Sequence, residues 1–157
     1  MDAHSSNHIL FPFVITLMYW LFFLVGVNVS ISIGDMREVY IAQDEVKITK
    51  MYELLKVKQH LSDDEECYFA VFECLQAKYS YNPYAKYNYF TSGYKRLNNL
   101  ILRYPTNPEY RYHRIMIETN APSFLLEKKH IKEDKSIILR FNKSTHPLYK
   151  QMVKAIE

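Results

Sequence analysis

The chain has 157 residues, 48% of them hydrophobic and 24% charged, with a formal net charge of +3. That balance excludes a disordered or collagen-like protein. Three glycines in the whole chain argue against sandwiches, barrels and Gly-rich phosphate loops, which need positions of positive φ. The charge is unevenly distributed: between Asp2 and Asp35 no Asp, Glu, Lys or Arg occurs, and residues 9–27 are almost wholly apolar. The chain therefore divides into residues 1–34, a signal peptide or membrane anchor, and residues 35–157, long enough for one domain and too short for two ordinary ones. In the second part Lys and Arg are interleaved with acids, which favours solubility and gives no reason to expect nucleic acid.

The apolar segment reads two ways. Ser30-Ile-Ser32 and Ser32-Ile-Gly34 offer the small residues that a signal peptidase needs, and cleavage there would place the domain in the periplasm or outside the cell. Left uncleaved, the segment is close to the ~20 residues that cross a bilayer. It would then be a single-pass anchor and the protein's membrane contact. Arg37, Lys47 and Lys50 follow it and nothing basic precedes it, so a retained anchor favours a cytoplasmic C-terminus.

The remaining chain predicts an all-α fold of about six antiparallel helices. The first covers residues 36–57, with Ile41, Ile48, Tyr52 and Leu55 on one side. Ser62 and Glu65 then form a capping box that opens a helix over residues 67–78. Its acidic first turn, Asp63, Asp64, Glu65 and Glu66, suits the helix dipole. Cys67 and Cys74, seven residues apart, are too far apart along a helix to bridge. With Ala70, Val71 and Ala77 they make a buried stripe. Asn82-Pro83 stops this helix and opens a third over residues 84–103. Asn107 and Pro108 cap and start a fourth over residues 109–119. A fifth spans residues 132–141, and Thr145 caps a sixth at Pro147, with Leu148, Met152 and Ile156 at four-residue steps. The linkers suit neighbours packed side by side.

Gly93, Leu97, Leu100 and Pro105 stand at spacings that resemble the second helix of a tetratricopeptide unit, over about residues 64–120. The Asn82-Pro83 break departs from that pattern, and a plain helical bundle is the alternative. A second resemblance rests on Met36-Arg-Glu-Val-Tyr40, Glu109-Tyr-Arg-Tyr-His-Arg114, Glu118-Thr-Asn-Ala-Pro122-Ser-Phe-Leu125 and Ile131-Lys-Glu-Asp-Lys135. Together these resemble a group of small exported helical proteins of Bacteroidetes-type bacteria. That resemblance implies export and a helical fold, and brings no activity, ligand or catalytic residue with it.

Tyrosine is the main anomaly. Tyr79, Tyr81, Tyr84, Tyr87, Tyr89 and Tyr94 fall close together among Lys78, Lys86, Lys95 and Arg96. Tyr84, Tyr87 and Tyr94 can share one helical face, which reads as an aromatic binding platform or as the filled seam of a small domain. With Lys95 they are the first candidate site. Arg111 and Arg114 are the second: they line one side of their helix with Glu118, an arrangement that grips a carboxylate or phosphate, or forms an ion-pair network between helices. No G-x-S-x-G, H-E-x-x-H or C-x-x-C occurs. His130 with Glu133 is the one pair at metal-like spacing, too few ligands for zinc, and neither cofactor nor metal is expected. The sequence thus points to a non-enzymatic module that binds a protein or peptide partner. A carrier of a lipid or other apolar ligand, and a small enzyme with an unrecognised site, are the alternatives.

Overall fold

The computed structural model describes residues 31–141 and 144–157; the apolar segment at 9–27, with its cleavage or retention, lies outside them. The fold is all-α. Among the described residues there are seven α-helices and no strand: α1 (Ile33–Ala42), α2 (Glu45–Lys56), α3 (Asp63–Tyr79), α4 (Pro83–Arg103), α5 (Pro108–Asn120), α6 (Ile131–Arg140) and α7 (Tyr149–Ile156). A 3-10 turn, Ser123–Leu125, joins α5 towards α6. None of these helices is long and apolar enough to cross a membrane.

Helix starts follow local chemistry. Ser62 and Glu65 close the capping box of α3, while Asn82 and Asn107 each accept two amide hydrogens at the heads of α4 and α5, with proline in the first turn. Several boundaries differ from the sequence expectation; α3 opens at Asp63, directly after its capping Ser62, four residues before the expected 67. The helix expected over residues 36–57 is two helices: Gln43 takes a left-handed conformation (φ 51°, ψ 27°), and Asp44 caps the restart by accepting from the Lys47 amide at 2.9 Å. The first of them also begins earlier, because Ser32 and Asp35 form a capping box. Cleavage after Ser32 or after Gly34 would remove that cap. The last helix starts at Tyr149 rather than Pro147, without a side-chain cap. Thr145 does not cap it; the Leu148 amide donates instead to Nδ1 of His146 at 3.2 Å.

The core is centred on α3. Residues 67–74 are buried without interruption, the mark of a helix enclosed on all sides, and α3 touches α1, α2, α4 and α5. Cys67 and Cys74 are free thiols within this core. Tyr52 of α2 stacks on Phe69, with ring centroids 5.4 Å apart. The α3–α4 contact is the most extensive in the fold. The pair is antiparallel: Phe90 meets Cys74, Arg96 meets Glu73, and Arg103 meets Asp63 and Glu66. The helices cross at Gly93, where backbone approaches backbone and a Cβ would lie 2.6 Å from the Ala70 carbonyl oxygen.

Candidate functional site

Helix α5 is unusual in what it buries. Of its eight buried residues, five are glutamate, arginine or histidine: Glu109, Arg111, His113, Arg114 and Glu118. Buried charges are tolerated only when paired and hydrogen-bonded, and four of the five are satisfied in three clusters.

In the first, Glu109 receives two hydrogen bonds from Arg37 of α1, at 3.0 and 2.6 Å, and one from the Tyr68 hydroxyl at 2.7 Å. His146 Nε2 lies 3.2 Å from its other oxygen. Burial raises the Glu109 pKa, but the Arg37 hydrogen bonds, with His113 and Tyr68, bring the carboxyl below its ordinary value. His146 accepts the Leu148 amide at Nδ1, so its ring proton sits on Nε2, facing Glu109. A surface cleft of about 510 Å³ opens over this cluster, lined by Arg37, Glu109, His146, Tyr104 and neighbouring residues.

His113 is the exception among the five. It is fully buried, enclosed by the rings of Tyr40, Tyr68 and Tyr112 at 4.6, 5.1 and 5.2 Å, and neither ring nitrogen has a hydrogen-bond partner. Burial pushes its pKa down to about 4. The folded protein thus holds the neutral ring while the unfolded chain, with a histidine pKa of ~6.5, takes up a proton as pH falls. Stability should therefore fall from pH 7 to pH 5, by about 2 kcal/mol from this group. Urea titration of His113→Leu should show a smaller fall over that interval and little loss at pH 7. An undiminished pH dependence in the variant would show that another group carries it.

The second cluster joins α5 to α6. Arg114 donates to both oxygens of Asp134, at 2.7 and 2.6 Å, and to Asn98 of α4. Arg111 donates to Asp134 at 2.7 Å, to Glu133 at 2.5 Å and to the Pro105 carbonyl. The third cluster centres on Glu118, which is fully buried. It accepts from the Tyr94 hydroxyl at 2.7 Å, from the His130 amide at 2.6 Å and from His130 Nδ1 at 2.8 Å.

These placements correct several expectations. Of the two readings of Arg111 and Arg114, the ion-pair network between helices holds and the open anion grip does not, because Asp134 and Glu133 of α6 engage their guanidinium groups. Arg114 and Glu118 do not pair with each other, since each turns to a different helix or loop. His130 and Glu133 do not converge, because the first binds Glu118 and the second Arg111. Among the described residues no group of three or more His, Cys, Asp or Glu side chains is arranged to hold a metal. Sequence reasoning missed Glu109, Asp134, His130, Arg37 and His146. The only available signal was the density of ionisable residues on an otherwise apolar α5.

The tyrosine cluster separates as well. Tyr94 turns inward, stacks on Phe90 with centroids 5.7 Å apart, and donates to Glu118; burial and the carboxylate push its pKa up. Tyr89 meets Tyr52 edge-on. Tyr94 therefore does not share an open face with Tyr84 and Tyr87. The tip of the α3–α4 hairpin is different. Tyr81 is 100% exposed, Tyr84 83% and Tyr87 56%, and Lys86 and Lys95 are exposed nearby. Among the described residues these three tyrosines form a cluster of exposed aromatic rings at one end of the domain.

No family model, curated protein or solved structure matches this chain.

Proposed function

We propose that this chain is an exported, non-enzymatic helical module that binds a protein or peptide partner at the tip of the α3–α4 hairpin. The observation that carries the reading is the exposure of Tyr81, Tyr84 and Tyr87. Tyrosine offers rigid contact area and a hydroxyl at low entropic cost, the property that enriches it in binding surfaces. The tetratricopeptide-like part of the reading rests on this same hairpin, with Gly93 at the crossing. The export part rests on the apolar segment and the small residues that follow it, and the intact mass of the protein from its host's envelope fraction tests it.

Photo-cross-linking tests the binding site. With a photoreactive benzoylphenylalanine at position 84 or 87 of the full chain, irradiation in the native host should give the same discrete adduct from both positions. The equally exposed Val57 should give none. Tyr84→Ala with Tyr87→Ala should abolish capture by a tag on the chain while changing stability by no more than about 0.5 kcal/mol, as expected for surface positions. A double variant that still captures its partner would place the site elsewhere, and one that unfolds would make these tyrosines part of the core.

A further inference from the structure

Between Glu73 and Glu109 the chain contains no Asp or Glu, yet it carries Lys78, Lys86, Lys95, Arg96 and Arg103. The structure sorts these cations into two sets. Arg96 lies over the Phe69 ring and pairs with Glu73, and Arg103 pairs with Asp63 and Glu66. Both arginines are thereby neutralised by carboxylates of α3. Lys78, Lys86 and Lys95 have no carboxylate partner among the described residues; Lys78 lies over the Tyr79 ring, 5.6 Å from its centroid.

The outer face of α4 continues this pattern. Tyr84, Asn88, Thr91 and Lys95 follow one another at helical spacing and run about 16 Å along the helix. A solvent-facing helix is ordinarily mixed in charge, whereas this face carries hydroxyl, amide and ammonium groups and no carboxylate. Such a face donates hydrogen bonds and attracts negative charge. Acids stand at its margins among the described residues: Glu73, Asp63 and Glu66 beside the two arginines, and Glu45 and Asp44 close enough to Tyr79 to help raise its pKa, which burial chiefly raises.

Resting on the binding reading above, we infer that the hairpin tip and outer face of α4 recognise a short acidic segment of a partner protein. Its carboxylates would meet Lys95 on that face and, around the tip, Lys86 on the opposite side of α4 and Lys78 of α3, while its apolar side chains cover Tyr84 and Tyr87. About five extended residues span the distance from Tyr84 to Lys95, and the segment runs on around the tip to reach Lys86 and Lys78. A nucleic-acid strand fits less well, because a phosphate backbone continued past either end meets the marginal acids. It would also find three lysines rather than the longer basic track that such binding uses. Charge complementarity of this kind sets specificity and on-rate and weakens with salt.

The test is fluorescence anisotropy on the full chain in a non-ionic detergent. The probes are a labelled decapeptide alternating Glu with Phe and Ser, the same peptide with Gln for Glu, and a labelled oligothymidine. The Glu peptide should bind about tenfold more tightly than the Gln peptide and weaken severalfold as salt rises from about 50 to about 300 mM. K78Q/K86Q/K95Q, all exposed positions, should reduce it to the Gln peptide's affinity with an unchanged circular dichroism spectrum. Equal affinity for the two peptides, lost for both in Tyr84→Ala/Tyr87→Ala, would overturn the acidic specificity and leave the binding site standing. Tighter binding of oligothymidine would overturn the inference in favour of nucleic acid. If neither peptide binds, the inference fails; if cross-linking at positions 84 and 87 also gives no adduct, the reading beneath it fails too.

Discussion

Replacing Asp134 with Ala is expected to destabilise the domain by about 3–5 kcal/mol, the usual effect of breaking a buried ion pair from one side. Asp134 is fully buried and accepts one hydrogen bond from Arg111 and two from Arg114. Without it two guanidinium groups remain inside the fold. Glu133, whose side chain is 54% exposed, then remains as the carboxylate partner of Arg111 alone, and Arg114 keeps only its hydrogen bond to Asn98. A loss of this size is a large part of the 5–15 kcal/mol that typically holds a domain together. The damage should be local first, since Asp134 is the buried charge that ties both arginines of α5 to α6. Hydrogen exchange should show α6 and α7, which pack on α5, losing protection before α3 and α4.

Glu133→Ala is the matching control. It removes a contact at the rim, where a salt bridge contributes about 0–1 kcal/mol, so the two variants should differ by several-fold in their effect on the urea midpoint. Equal and small effects would mean that the arginines are solvated rather than clasped.

Gly93→Ala is expected to cost at least about 2 kcal/mol, although alanine is the better helix former by about 1 kcal/mol. The new Cβ would lie 2.6 Å from the Ala70 carbonyl oxygen, 2.7 Å from Cys74 Sγ and 2.8 Å from the Cys74 amide nitrogen. The thiol can rotate away, but the two backbone atoms move only if α3 and α4 separate. Separation would unpack Phe90 and Leu97 from the central helix. Gly34→Ala provides the contrast, since its Cβ would meet only Ser32 Oγ at 3.5 Å. That change should be neutral or stabilise by up to about 1 kcal/mol through the unfolded chain. Urea unfolding of both variants checks the pair, and a Gly93→Ala protein as stable as the parent would show that the helices do not meet as closely as described.

The starts of α3, α4 and α5 were legible because they are settled by residues within four positions of one another. A Ser62–Glu65 box or an Asn107-Pro108 pair acts on its own turn, whatever the rest of the chain does. Apolar periodicity likewise identified Ile48, Tyr52 and Leu55 as core, but it grouped Ile41 with them, and Ile41 is half exposed because it belongs to α1, before the break at Gln43. Two misses were also local. The Ser32–Asp35 box and the Asp44 cap have the same chemistry as the correct boundaries, and the apolar periodicity running across Gln43 concealed the break between α1 and α2.

The candidate site was legible only as a composition. The run of tyrosines and lysines identified the right stretch of chain, but helical spacing alone grouped Tyr94 with Tyr84 and Tyr87. Whether a tyrosine faces a buried glutamate or the solvent depends on where its neighbouring helices end. Tyr94 lies opposite Glu118, twenty-four residues away in the chain, while Tyr81, Tyr84 and Tyr87 stand at the hairpin tip. The ionic clusters lie further still from sequence reasoning: Arg37 reaches Glu109 across seventy-two residues, and Arg114 reaches Asp134 across twenty. By itself the sequence determined an all-α chain, most of its helix starts and the apolar faces that had to be buried, because these follow from backbone hydrogen bonding and side-chain period within a few turns. Only the tertiary structure decided which charges neutralise one another and which remain free for a partner, because pairing depends on which helices are brought side by side.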